Sequence, residues 1–181
     1  MRDMREPEPV KLFAATILRP ETGLREELLQ QLACAWGPID DVHGPTPFDK
    51  TDYYEPEMGC GLLRLFSSFE RLRPADSLPD ITHQAAALEA DFADVAGCRR
   101  VNVDVGYLDY HKVVLASTKQ GPAKIYMGRG IWADLTMRYS RGTFSPFPWT
   151  FPDFADGRYD AFLLRARTRY RQALRARRTG Y

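Results

Sequence analysis

Arg99-Arg-Val-Asn-Val-Asp-Val-Gly-Tyr-Leu-Asp-Tyr-His-Lys-Val-Val-Leu-Ala-Ser-Thr-Lys119 is the stretch whose reading decides the fold. Val101, Val103 and Val105 alternate with Asn102 and Asp104, a period of two that predicts a strand with one apolar and one polar face. With the valines facing the core, the amide and the carboxylate stand together on the opposite surface. Gly106 is expected to allow a turn that a side chain would hinder, and the run ends in Ser117, Thr118 and Lys119. An amide and a carboxylate on a rigid strand, with hydroxyls and an ammonium beyond, suit a small polar or anionic ligand. They identify neither that ligand nor a reaction.

Upstream, Val10 to Leu18 is short and almost wholly apolar, as expected of a central strand covered on both faces. Thr22 can cap a helix with Leu24, Leu28, Leu32 and Ala35 on one face, and Gly37-Pro38 ends it. Ile39 to Pro56 is rich in proline and polar residues and reads as a loop that can carry function. Leu62 to Phe66 reads as a strand. A helix from Asp76 follows, its apolar positions Leu78, Ile81, Ala85, Leu88, Phe92 and Val95 spaced by three and four and closed by Gly97.

Downstream, Lys112 to Ala116 is short and apolar and is taken as a strand. Lys124 to Met127 and Ile131 to Tyr139 form a hairpin about Gly128-Arg129-Gly130. Pro146 to Pro152 reads as an irregular strap. Tyr159, Phe162, Leu163, Ala166, Tyr170, Ala173 and Leu174 mark one face of a last helix, whose other faces carry seven arginines between Arg165 and Arg178. The order predicts a single-domain α+β sandwich spanning residues 1–181, with a mainly antiparallel sheet and helices on one face. Its first six elements read as a ferredoxin-like β-α-β-β-α-β core, extended by the hairpin and the terminal helix, with residues 1–8 as a flexible lead.

A length of 181 residues suits one domain with a sizeable core. Lys and Arg number 25 against 24 Asp and Glu, so net charge points to no particular partner. Cys34, Cys60 and Cys98 are odd in number and far apart, which argues for reduced thiols in a cytoplasmic protein. No run approaches the roughly 20 apolar residues of a membrane span. Nothing in the composition sets an oligomeric state.

No Gly-x-x-x-x-Gly-Lys-Ser/Thr, no Gly-x-Gly-x-x-Gly between strand and helix, and no Gly-x-Ser-x-Gly is present. Asp49, Asp52, Glu57, Asp104 and Asp134 could share a hard cation such as Mg²⁺. Turn, cap and solubility roles explain them better, so no metal site is assigned. His43, His83 and His111 lie at no metal-ligand spacing from one another. The expected ligand site gathers Thr51, Asp52, Tyr53, Tyr54, Glu57, Asn102, Asp104, Tyr107, Ser117, Thr118 and Lys119 around one concavity. In an enzyme, Asp52 or Asp104 would take the base or metal-ligand role, Lys119 the anion contact, and Asn102 and Thr118 the orienting hydrogen bonds. In a binding protein the same groups act without chemistry. The competing reading, a nucleic-acid or protein-binding module built on the arginine-rich helix, is less favoured because its arginines surround the helix instead of forming one stripe. Tyr53, Tyr54, Tyr107, Tyr126, Trp132 and Trp149 are candidates for stacking on a base.

Together, Pro9 to Ala15, Gly37 to Asp40, Phe48 with Thr51 to Tyr54, Glu57 to Gly59, Ser68-Phe69, Arg100 to Asp104 with Gly106 to Leu108, Leu115 to Lys119, Ile125-Tyr126 with Gly130-Ile131, and Pro148 to Thr150 with Pro152-Asp153 resemble domain-of-unknown-function family 4416. The resemblance implies no established activity. Some members bear an automatic label of GTP-binding protein, for which this chain lacks both the P-loop and an Asn-Lys-x-Asp motif. It also departs from the family pattern at Val105, where proline is usual, at Ala85-Ala86, replacing Thr-Asn, and at Ala123-Lys124, replacing His-Arg.

Overall fold

The computed structural model describes residues 3–179. In chain order the elements are β1 (Val10–Leu18), α1 (Leu24–Trp36), β2 (Ile39–Pro47), α2 (Glu55–Met58), β3 (Leu63–Arg73), α3 (Leu78–Asp91), β4 (Val101–Leu108), β5 (Lys112–Ser117), β6 (Lys124–Gly128), β7 (Ile131–Ser140), β8 (Thr143–Pro146), α4 (Pro152–Ala155) and α5 (Asp160–Thr179). The strands form one sheet in the order β2-β3-β1-β4-β5-β7-β6, with β8 also on β7, and every pairing is antiparallel. No helix among the described residues is long and apolar enough to cross a membrane.

β1 lies centrally and is buried at every position, as its almost wholly apolar run predicts. Alternate residues feed two cores. Leu12, Ala14 and Leu18 join Val101, Val103, Val105 and the apolar stripes of α1 and α3, while Phe13 and Ala15 join Phe66, Leu115 and the stripe of α5. The expectation of helices on one face therefore holds for α1 and α3 and is corrected for α5, which covers the other face. Phe162, Leu163, Ala166, Tyr170 and Leu174 give α5 a stripe wide enough to close a second core.

Several local expectations also need correction. Gly23, in a left-handed conformation, precedes α1 with no side-chain cap, so Thr22 does not fill that role. Trp36 rather than Ala35 completes the buried stripe, its indole N–H donating to Gln84. α3 ends at Asp91, leaving Val95 fully exposed. The supposed loop holds β2 and the short α2; β2 is an edge strand, where prolines and a glycine are tolerated because one row of donors has no strand partner. The strap likewise begins inside β8. Gly106 makes no turn. It sits mid-strand because a Cβ there would lie 2.5 Å from Val114 O and 2.9 Å from the Phe13 ring.

Candidate functional site

β4 pairs with β1 along its whole length but with β5 only through Gly106, Tyr107 and Leu108. β5 meanwhile continues along β7 as far as Ser117. The sheet therefore opens beyond the Gly106–Leu115 rung. Asp104 lies two residues before that rung and Ser117 two residues after it, and strand alternation sets both on the face that carries α5. Polar side chains line both lips of this opening.

On the β4 lip, Arg99 grips Glu57 through two hydrogen bonds, 2.8 Å from Nε to Oε1 and 2.6 Å from Nη2 to Oε2. This fork holds the Glu57 carboxyl below the usual carboxylate range. Arg99 also donates to Asn102 Oδ1 at 2.7 Å, and Asn102 donates to Asp104 Oδ1 at 3.0 Å. The second Asp104 oxygen accepts from Arg64 at 3.2 Å. Arg64 reaches on to Asp153 Oδ2 at 3.0 Å, which the Tyr159 hydroxyl also contacts at 3.2 Å. Arg64 and Asp153 are 4% and 3% exposed, so this pair stands in a low-dielectric interior. Burial opposes the guanidinium charge, but Asp104 and Asp153 outweigh it and raise the Arg64 pKa above its ordinary value.

The unpaired edge of β4 is plugged from α3. Glu89 Oε1 accepts from Val103 N–H at 2.5 Å, and Oε2 lies 3.7 Å from Arg99. Burial pushes the Glu89 carboxyl up to about 7, opposed by the Val103 amide and Arg99 and assisted by Asp104 and Glu57. Native Glu89 thus holds a proton more tightly than in the unfolded chain, so its contribution to stability is full below about pH 4.5 and is lost as pH rises to about 7. Thermal unfolding should show it: Glu89→Gln, which can still accept from Val103, gains stability relative to the parent at pH 8 and much less at pH 5. Equal differences at the two pH values would contradict a raised Glu89 pKa.

On the β5 lip, Lys124 Nζ donates to Ser117 Oγ at 2.8 Å and lies 3.3 Å from Asp134. Lys119 Nζ donates to the Tyr53 hydroxyl at 3.1 Å and stands 4.8 Å from the centre of that ring. Tyr53 and Tyr54 meet edge to face with centroids 5.0 Å apart. Tyr54 packs on Phe48, which lies under Arg64 with the guanidinium 4.7 Å from its ring centre. Burial first, then Asp104, drives the Tyr54 hydroxyl pKa upward, so it stays protonated. Phe147 to Phe154 bounds another side: Trp149 Nε1 donates to Leu135 O and Thr150 Oγ1 to Thr136 O before Asp153 reaches Arg64.

Tyr53, Tyr54, Glu57, Asn102, Asp104, Ser117 and Lys119 thus form connected contacts around one opening. Four expected members stand apart. Tyr107 points into the core of α1 and α3, 8% exposed, because without a turn at Gly106 it shares the valine face. Thr51 and Asp52 line an open depression of about 690 Å³ with Phe48, Asp49, Lys50 and Glu55, and Thr51 serves locally by accepting from Tyr53 N–H. Thr118 is exposed on the turn after β5. Arg64, Glu89, Arg99, Lys124 and Asp153 were not anticipated. Arg64 was the readable one, a single charge inside the apolar run Leu62 to Phe66.

Four of the five carboxylates considered for Mg²⁺ are occupied by cations: Asp49 by Arg158, Glu57 by Arg99, Asp104 by Arg64 and Asp134 by Lys124. Among the described residues no group of three or more His, Cys, Asp or Glu is placed to hold a metal. His43 packs against Phe66, Tyr159 and Phe162, His83 Nε2 meets Arg129 O, and His111 is exposed.

The family described as a domain of unknown function, DUF4416, matches residues 8–170. The chain belongs to this family. No curated protein and no solved structure matches it. The DUF4416 match runs from just before β1 to Tyr170 in α5, so it takes in both lips of the opening and the buried Arg64–Asp153 pair behind them.

Proposed function

We propose that this DUF4416 protein binds a small polar, anionic ligand where β4 and β5 part, and that it works in the cytoplasm, where its three free thiols stay reduced. The observation that carries the reading is Lys119. Arg64, Arg99 and Lys124 around the opening each face a carboxylate, whereas Lys119 forms no ion pair among the described residues and turns its ammonium to the Tyr53 hydroxyl. An anion at the mouth gains a charge-assisted bond from Lys119 and a hydroxyl contact from Tyr53. Asp104, with one oxygen on Asn102 and the other on Arg64, serves as a fixed wall better than as a base.

The nucleic-acid reading has less in its favour. Arg165 pairs with Asp41, Arg178 pairs with Glu8, and Arg167 lies 3.5 Å over the Tyr139 ring while donating to Tyr110 O. A thermal-shift panel of inorganic phosphate and nucleotides, with and without Mg²⁺, tests the proposal, since ligands of the native state raise the midpoint. An anion is expected to stabilise the parent, with Lys119→Gln weakening it about tenfold, as for loss of one charged hydrogen bond. RNA or DNA binding abolished by changing Arg165, Arg169, Arg175 and Arg178 to Gln, but indifferent to Lys119→Gln, would transfer the function to the helix.

A further inference from the structure

Beside the Lys119 mouth, the floor carries two aromatic rings that neither core uses. Register sets Ser117, Trp132 and Tyr126 in one row across β5, β7 and β6, because Ser117 and Tyr126 are both direct partners of Trp132. Directly paired residues point to the same face with Cβ atoms about 5 Å apart. The Trp132 and Tyr126 rings are 5.0 Å apart, inclined by 53°, and the Tyr126 hydroxyl accepts from Gly130 N–H at 3.3 Å, which holds that ring at its tip. Tyr126 is 56% exposed, Trp132 is half-buried, and neither belongs to an apolar cluster of the interior. Two large rings kept off the core, Tyr126 on the short edge strand β6 and Trp132 beside it on β7, have little packing reason to be aromatic.

Charge stands at one end of this row. Lys119 lies two residues beyond Ser117, and Lys124, two residues before Tyr126 on the same face of β6, donates to the Ser117 hydroxyl. From the mouth toward the β6 edge of the sheet, the surface therefore presents an ammonium, a hydroxyl and then a ring platform. Resting on the anion reading above, we propose that the ligand carries a planar aromatic ring, which stacks on Trp132 and Tyr126 while its anionic group meets Lys119. The class is that of aryl or heteroaryl phosphates and carboxylates, for which adenosine 5′-monophosphate is a convenient probe.

Calorimetric titration with adenosine 5′-monophosphate, adenosine and inorganic phosphate separates the two readings. The parent is expected to bind the monophosphate about tenfold more tightly than phosphate, the scale of one stacked base. The monophosphate, unlike phosphate, should also quench tryptophan fluorescence. Trp132→Leu should reduce monophosphate affinity to that of phosphate, remove the quench and leave phosphate binding unchanged. Trp132→Phe, which keeps a ring, should retain most of the selectivity; if the leucine variant does not fold, this variant and the parent's quench decide. Equal affinity of the parent for monophosphate and phosphate, with no quench, overturns the ring and leaves the anion reading standing. Absence of binding by all three probes overturns both.

Discussion

Arg64→Met is expected to lower the unfolding free energy by about 3–5 kcal/mol, the range for removing one partner of a buried ion pair. The guanidinium sits between Asp104, Asp153 and Ala15 O, and Asp153 is almost wholly shielded from water. Methionine fills much of the volume, so the loss is electrostatic rather than a cavity effect. Asp153 would be left charged with only the Tyr159 hydroxyl as donor, while Asp104 keeps Asn102 and is 35% exposed along its side chain. Pairing the change with Asp153→Asn should recover most of the loss, since the neutral amide still accepts from Tyr159. Urea unfolding of the parent, both single variants and the double variant closes the cycle. A loss under about 1 kcal/mol for Arg64→Met would mean that the pair behaves as a surface salt bridge.

Gly106→Ala is expected to cost about 3 kcal/mol, the upper part of the range for overpacking a rigid interior. The added Cβ would stand 2.5 Å from Val114 O and 2.9 Å from both Leu115 Cδ2 and the Phe13 ring. The first of these is backbone, and Phe13 is fully buried against Phe66 and Phe162, so none of the three yields easily. The strain also falls on one of the three rungs that join β4 to β5. Thermal unfolding should show the loss, and amide exchange should accelerate at Val113 and Val114. Gly121→Ala, whose Cβ would have Lys124 side-chain atoms as its nearest neighbours, at 3.4 Å or more, is the control and should stay within about 0.5 kcal/mol of the parent.

Much of the architecture was legible because the apolar spacing is strong where the chain is most buried. Val10 to Leu18, Lys112 to Ala116 and the Gly128-Arg129-Gly130 hairpin stand close to where period and turn chemistry put them. Two misreadings, the turn at Gly106 and the loop at Ile39 to Pro56, share a cause: glycine and proline mark close approach and sheet edges as well as turns. Taking Gly106 for a turn broke the alternation that would have carried Tyr107 into the core with Val101, Val103 and Val105. At the site, the polar patches were visible as segments the core does not need. What joins them was not, because Arg64 and Asp153 lie 89 residues apart, and Glu89 meets Val103 and Arg99 only once α3 is packed on β4.

The edge strand β2 bears on how the protein behaves in company. A long, flat outer strand offers its free amides and carbonyls to any second chain that can zip along it, the first step toward aggregates. Pro45 and Pro47 supply no amide, and Gly44, with φ of 96° and no room for a Cβ beside Arg64 O, breaks the line between His43 and Thr46. The composition that made this stretch resemble a loop is what keeps the outermost strand from recruiting a stranger.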